Sequence, residues 1–138
     1  MTREEVIEFI TKNPCFSLAT IDGNQPRTRM MMICRADDNG ILFTTGRDKD
    51  VNKQLQANPA VEMCFFGSDQ NRQVRIEGTV EMDDDLELKK QILEAFPFLK
   101  PWIEAQGFEV MIPYRLKNGK ATTWTMETAF EPKQYIQL

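Results

Sequence analysis

The chain has 138 residues, with 17 Lys+Arg against 21 Asp+Glu and a net charge of −4. That length suits a single domain over residues 1–138 with a real core, and the scattered basic residues exclude a binder of nucleic-acid backbones. There is no histidine, which removes the Ser/His and Cys/His nucleophile pairs, the usual catalytic zinc sites, a histidine-ligated haem and the commonest general base; enzymatic chemistry then falls to a bound cofactor.

In chain order, Thr2 to Asn13 reads as a helix, with Thr2 and Glu5 at capping-box spacing, Val6 and Ile10 on one face, and Asn13-Pro14 as its stop. Cys15 to Ile21 is a strand, Asp22-Gly23-Asn24 a turn, and Pro26 to Ala36 a second strand of a hairpin. Along that second strand the period of two puts Arg27, Arg29, Met31, Ile33 and Arg35 on one face and Thr28, Met30, Met32 and Cys34 on the other. Such a strand is either a solvated edge or one wall of an adaptable slot for a flat ligand.

Asp37 to Gly40 turns the chain into Ile41–Pro59 (ILFTTGRDKDVNKQLQANP), the most informative stretch. An apolar strand runs through Thr44 and Thr45 to Gly46, where the backbone can turn, and Asp48 is placed to cap a short helix carrying Val51 and Leu55 on one face. Free N–H groups at that helix start, with Arg47, Lys49 and Lys53 nearby, suit a phosphate; the alternative is a plain strand–turn–helix connection with a solvated charged face.

Ala60 to Phe66 is nearly all apolar and is expected to be buried on both faces. After a loop over Gly67 to Asn71, the strand Gln73 to Met82 alternates, with Val74, Ile76, Gly78, Val80 and Met82 inward; an inward glycine marks a bend and favours a closed barrel. Asp83-Asp84-Asp85 starts a helix through Phe96, as dipole-matching acids rather than a metal site. Pro97 to Gly107 is expected to be a proline-broken connection anchored by Trp102. Strands follow at Phe108–Leu116 and Lys120–Met126 around the Asn118-Gly119 turn, and Ala129–Leu138 is a last strand or arm. Cys15, Cys34 and Cys64 form no CxxC pair and read as reduced thiols. Apolar runs fall far short of a membrane span, and the start Met1-Thr2-Arg3-Glu4-Glu5 is charged, so a cytoplasmic protein without a membrane partner is expected. The fold class is mainly β with helices: a six-stranded antiparallel barrel with packed helices.

Four segments in order, Phe16–Thr20 (FSLAT), Asp22–Arg29 (DGNQPRTR), Ile41–Pro59 and Arg72–Met82 (RQVRIEGTVEM), resemble the pyridoxamine 5′-phosphate oxidase-like superfamily of FMN-binding split barrels. Within it, the short chain and the KDV…QL..NP wording are similar to the small Nim-type, nitroimidazole-resistance-like subgroup. The resemblance implies a homodimer with FMN at the interface, each flavin held by both chains. It implies flavin contacts from Arg27, Arg29, Met30 and Met31 on the arginine strand, from Phe43, Thr44 and Thr45 ending the next one, and from Lys49 and Lys53 entering the helix. It adds Gln73 from the RQV motif and Trp124 across the interface. No side chain is expected to be catalytic in itself and no metal is implied; the flavin carries the chemistry, and Arg29 tunes it.

The resemblance also separates activities. The oxidase itself recognises its substrate through a C-terminal Arg/His segment that this chain, ending Tyr135-Ile136-Gln137-Leu138, does not match, so pyridoxamine phosphate oxidation is not expected. Two readings remain: an FMN-dependent oxidoreductase reducing a small electrophile (nitro compound, quinone or flavin) with a nicotinamide donor, or a non-catalytic flavin- or haem-binding stress-related module.

Overall fold

A computed structural model describes every residue from Met1 to Leu138 and resolves the apolar alternation into four α-helices and nine strand segments. Helix α1 (Arg3–Lys12) begins as its capping box dictates, the Glu5 N–H donating to Thr2 Oγ1 at 3.1 Å and the Thr2 N–H to Glu5 Oε2 at 3.0 Å. The strands are β1 (Cys15–Asp22), β2 (Gln25–Met32), β3 (Arg35–Asp37), β4 (Gly40–Gly46), β5 (Ala60–Gly67), β6 (Arg72–Met82), β7 (Met111–Leu116), β8 (Lys120–Trp124) and β9 (Ile136–Gln137). Helix α2 (Asp50–Ala57) joins β4 to β5, while α3 (Leu86–Ala95) and α4 (Lys100–Gln106) join β6 to β7.

Neighbouring strands follow the order β2-β1-β5-β6-β7-β4-β3, and every pairing is antiparallel. The two ends of that path, β2 and β3, are consecutive pieces of one extended segment, so the sheet closes on itself. With β2 and β3 taken as one strand the ring has the expected six members, and β8 and β9 continue outward from β6. The single strand expected over Pro26–Ala36 is broken because its backbone changes partner. The Ile33 N–H donates to Pro14 O at 3.0 Å, and the next, Cys34 N–H, to Leu42 O at 2.7 Å on the opposite side of the ring.

Strand β6 makes the matching corner. Its first half pairs with β8 from Gln73 to Glu77, and its last three residues pair with β7 instead. Gly78 sits between the two halves, where an added Cβ would lie 3.3 Å from the Leu116 side chain, so the inward glycine marks a close approach at the point where β6 changes partner.

Inside the ring Phe16 stacks on Phe65 (centroids 5.1 Å apart) and meets the edge of Phe43, which stacks on Tyr114 at 5.9 Å. A second apolar cluster, Leu42, Leu88, Ile92, Ile103, Val110 and Met111, fills the space under α3 and α4, with Trp102 packed against it as the expected anchor.

Several expectations are corrected. β5 buries one face only: Val61, Met63 and Phe65 are enclosed, whereas Phe66 is 53% exposed, because the outer side of this part of the sheet carries no helix. Met82, expected inward, is exposed at the end of β6. The connection Pro97–Gly107 contains α4, since Pro97 and Pro101 both fall in first turns, where a missing N–H costs nothing. Phe108–Val110 forms a 3-10 turn before β7, and β8 ends at Trp124.

Candidate functional site

The site forms where β2 passes α2. At about 100° of rotation per residue, Asn52 and Gln54 flank the Val51–Leu55 stripe of α2, and all four are buried against the barrel. The two amides lock the helix in place. The Tyr114 hydroxyl donates to Asn52 Oδ1 at 2.6 Å, and Asn52 Nδ2 donates to Arg47 O at 2.8 Å, so the loop entering α2 is tied to the core. Burial raises the Tyr114 pKa and keeps that hydroxyl a donor.

Gln54 Oε1 accepts from the Thr20 hydroxyl at 2.6 Å and from Arg29 Nη2 at 2.7 Å, while Arg29 Nη1 donates to Leu18 O at 3.1 Å and to Thr20 Oγ1 at 2.8 Å. The guanidinium is therefore held in one orientation without any carboxylate. Burial first, and then the neighbouring Arg27 charge, lower the Arg29 pKa from its ordinary value; an anion beside the pair would relieve both effects.

Between β2 and α2 lies an open cleft of about 910 Å³ whose walls include Arg27, Arg29, Lys49, Lys53 and Gln54. Of the three acids that also line it, Asp22 pairs with Arg27 at 3.2 Å and Asp48 with Arg47 at 3.3 Å, while Asp50 is in no ion pair; Arg29, Lys49 and Lys53 are in none either. Asp48 does not cap the helix, as its position suggested. Lys49 is the N-cap, in extended conformation and with no side-chain cap, and the Asn52 and Lys53 N–H groups both turn to Lys49 O. The N–H groups of Asp50 and Val51 thus open α2 with no acceptor of their own, the arrangement that favours an anion. Gly46 serves differently from expectation: its φ is not positive, and what it supplies is room, an added Cβ falling 3.2 Å from Lys49 Cγ and 3.4 Å from the Trp102 ring.

The structure sorts the residues named from sequence into groups. Arg27, Arg29, Lys49 and Lys53 converge on the cleft. Met31 packs on the core, whereas Met30, on the opposite face of β2, is 69% exposed, so the two side chains cannot touch one ligand from the same side. Phe43 is enclosed in the core and offers no side-chain surface. The hydroxyls of Thr44 and Thr45 are both buried without partners, but alternation along β4 points them to opposite faces.

Gln73 and Trp124 stand opposite each other on β6 and β8 and line a different hollow, of about 520 Å³, that shares no residue with the cleft. Gln73 Oε1 accepts from the Cys64 thiol at 3.1 Å. Thr20, Asn52 and Gln54 were not singled out from sequence. The signal for Asn52 and Gln54 was available in the helical arc that they complete, a polar residue on each side of an apolar stripe, whereas Thr20 lies on β1, where only the alternation marks it as inward.

The closed antiparallel ring defines a split-barrel protein, and its cleft sets an uncapped helix start among Arg29, Lys49 and Lys53. The profile of the family described as pyridoxamine 5′-phosphate oxidase matches residues 2–124, and the chain belongs to that family. A pyridoxine/pyridoxamine 5′-phosphate oxidase from Pseudomonas putida is 47% identical over 66 residues, 47% of this chain and 31% of the relative. The Neisseria meningitidis enzyme is 30% identical over 108 residues, 75% of this chain and 51% of the relative; the chain thus spans between a third and a half of these relatives. Among solved structures, a NimC/NimA family protein from Clostridium acetobutylicum superposes with a TM-score of 0.81 at 25% identity, covering 98% of this chain and 92% of the other. This agrees with the subgroup that the motifs resemble. The same fold is found in an FAD-binding protein from Mesorhizobium loti (TM-score 0.63, 15% identity, 91% and 96% covered) and a heme binding protein from Mycobacterium smegmatis (0.74, 14%, 97% and 57%). These last two, at 15% and 14% identity, share the fold alone. No helix is long and apolar enough to cross a membrane.

Proposed function

We propose that the protein binds FMN with the phosphate at the start of α2, and uses it to pass reducing equivalents from a nicotinamide donor to a small electrophile such as a nitro compound, a quinone or free flavin. The observation that carries this reading is the uncapped helix start set among Arg29, Lys49 and Lys53. A dianionic phosphate there would meet the open N–H groups of Asp50 and Val51 and two lysines that have no acidic partner. When bound, the flavin ring supplies the two-electron redox chemistry that a chain without histidine lacks. This chain's residues bind and orient: Arg29, immobilised by Thr20, Leu18 and Gln54, holds positive charge at a fixed place, and Lys49 and Lys53 neutralise the phosphate.

The second part of the proposal is a homodimer. Within one chain the cleft and the Gln73–Trp124 hollow are separate, so a flavin that touches both needs a second copy. The outer face of the sheet made by β2, β1, β5, β6 and β8 supports this, because it leaves Met30, Met32, Phe66 and Trp124 exposed. Three free thiols support a reducing, cytoplasmic setting.

The test is an anaerobic-to-aerobic assay of NADH and NADPH oxidation by the FMN-loaded protein, with a nitroaromatic, a quinone and free FMN as acceptors. Acceptor-dependent steady oxidation supports the enzyme. Stable flavin binding with no consumption of donor supports the non-catalytic module, and a Soret band on purification points to haem in place of flavin.

A further inference from the structure

We propose that Gln54 is a positioning residue of the cleft: its neutral amide grips one end of Arg29 and leaves a free edge of the guanidinium, with its charge uncompensated, for an oxyanion. A guanidinium carries five N–H groups. Arg29 commits three of them inside the chain, two from Nη1, to Leu18 O at 3.1 Å and Thr20 Oγ1 at 2.8 Å, and one from Nη2, to Gln54 Oε1 at 2.7 Å. Thr20 Oγ1 and Gln54 Oε1 lie 2.6 Å apart, so together they take the two Nη atoms end-on. The Nε–H and the second Nη2 N–H remain. They point the same way, form the two-pronged edge that matches a carboxylate or phosphate, and donate to nothing in the chain.

An amide at this position is informative because a carboxylate would keep the same bonds. Glutamate could accept from Thr20 and Arg29 as Gln54 does, and would add an ion pair in a place where both Thr20 (2% exposed) and Gln54 (9%) are buried. The charge of Arg29 would then be met inside the chain. With the amide it is met by no carboxylate, since Arg29 belongs to no ion pair. An oxyanion in the cleft supplies the missing counter-charge. Gln54 also sits one turn after Asp50 on α2, so one helix carries both the grip on Arg29 and the open N–H groups at its own start. That the oxyanion is the FMN phosphate rests on the function proposed above; that the edge is free rests on this chain's own hydrogen bonds.

The test compares Gln54→Glu, which keeps both contacts of Oε1 and adds a charge, with Gln54→Met, which removes the acceptor and adds none. Calorimetric titration of the full chain with FMN and, separately, with inorganic phosphate at about pH 7.5 should rank the affinities parent, Gln54→Met, Gln54→Glu, the last weaker than the parent by about tenfold or more. A role confined to tying α2 to the barrel gives the reverse order for the two variants, because the carboxylate keeps the bonds that the thioether loses. In the ligand-free Gln54→Glu protein the new carboxyl, followed by carbon NMR, should titrate below the usual value of about 4.3, as a partner of Arg29. If that variant does not fold, the parent decides: the Arg29 Nε–H signal in a proton–nitrogen spectrum, assigned by its absence from Arg29→Lys, should shift on adding FMN or phosphate. The proposal is overturned if Gln54→Glu binds both ligands as the parent does or more tightly than Gln54→Met, if its new carboxyl titrates at the ordinary value, or if the Nε–H signal stays in place while either ligand is bound. A parent whose Arg29 signal answers to inorganic phosphate but which refuses FMN would support the role of Gln54 and overturn the function proposed above.

Discussion

Helices α2 and α3 each follow a strand, each is preceded by an aspartate in cap-like position, and they begin in opposite ways. At α3 all three aspartates are engaged internally: Asp85 Oδ2 accepts the Leu88 N–H at 2.8 Å, Asp83 holds Arg115 at 3.1 Å, and Asp84 pairs with the buried Lys89, which also donates to Phe108 O. At α2 the nearby Asp48 turns to Arg47, no side chain caps the helix, and Arg29, Lys49 and Lys53 enter no ion pair although Asp22, Asp48 and Asp50 line the same cleft. The difference teaches that an acidic run marks a closed helix start serving stability, whereas donors left open beside unpaired cations mark a place for a ligand.

The largest expected effect comes from Arg29→Ala, which removes the one cation fixed by neutral partners. FMN affinity should fall by about a hundredfold, as measured by fluorescence titration. Asn52→Ala tests whether the open start depends on its anchor: it leaves the Tyr114 hydroxyl unpaired in the core and should cost about 1–3 kcal/mol in urea unfolding, with weaker FMN binding. Lys49→Ala should lower FMN affinity about tenfold while moving stability by no more than about 0.5 kcal/mol. Asp85→Ala is the reverse case: a loss of about 1 kcal/mol of stability, from the missing cap, with FMN affinity where it was.

The last effect is confined to alkaline pH and is absent under ordinary conditions. Burial pushes the Cys34 thiol up from 9.0 to about 11. The unfolded chain therefore loses this proton first, and stability should fall as pH rises from about 9 to about 11. Chemical denaturation at stepped pH checks this, and Cys34→Ser should reduce the slope, leaving the part that the raised Cys64 and Tyr114 contribute.

Most of the fold was legible because local signals agreed with one another. The capping box of α1, the turns at Gly23 and Asn118, the alternation of β6 and the inward Gly78 each fixed an element before its neighbours were considered. What escaped was set by partners distant in sequence. Nothing local to Ile33-Cys34 announces that one residue bonds to Pro14 and the next to Leu42. Nothing local to Phe66 shows that its side of the sheet lacks a helix.

The candidate site divides along the same line. Lys49 and Lys53 were readable from the stretch Ile41–Pro59 itself and Arg29 came from the resemblance, but the network that orients Arg29 joins Thr20, Arg29 and Gln54 across three elements. Phe43 was placed in the site by resemblance, and its side chain belongs to the core stack with Phe16 and Tyr114.

The measurement that bears most directly on the open helix start is a proton–nitrogen correlation spectrum of the labelled protein, titrated with FMN and separately with inorganic phosphate. The amide signals of Asp50 and Val51 should move strongly with both ligands, and those of Leu86 and Glu87 at the capped start of α3 should stay in place. If FMN remains bound through gel filtration while the Asp50 and Val51 amides do not move, the phosphate lies elsewhere and the account of the cleft is wrong.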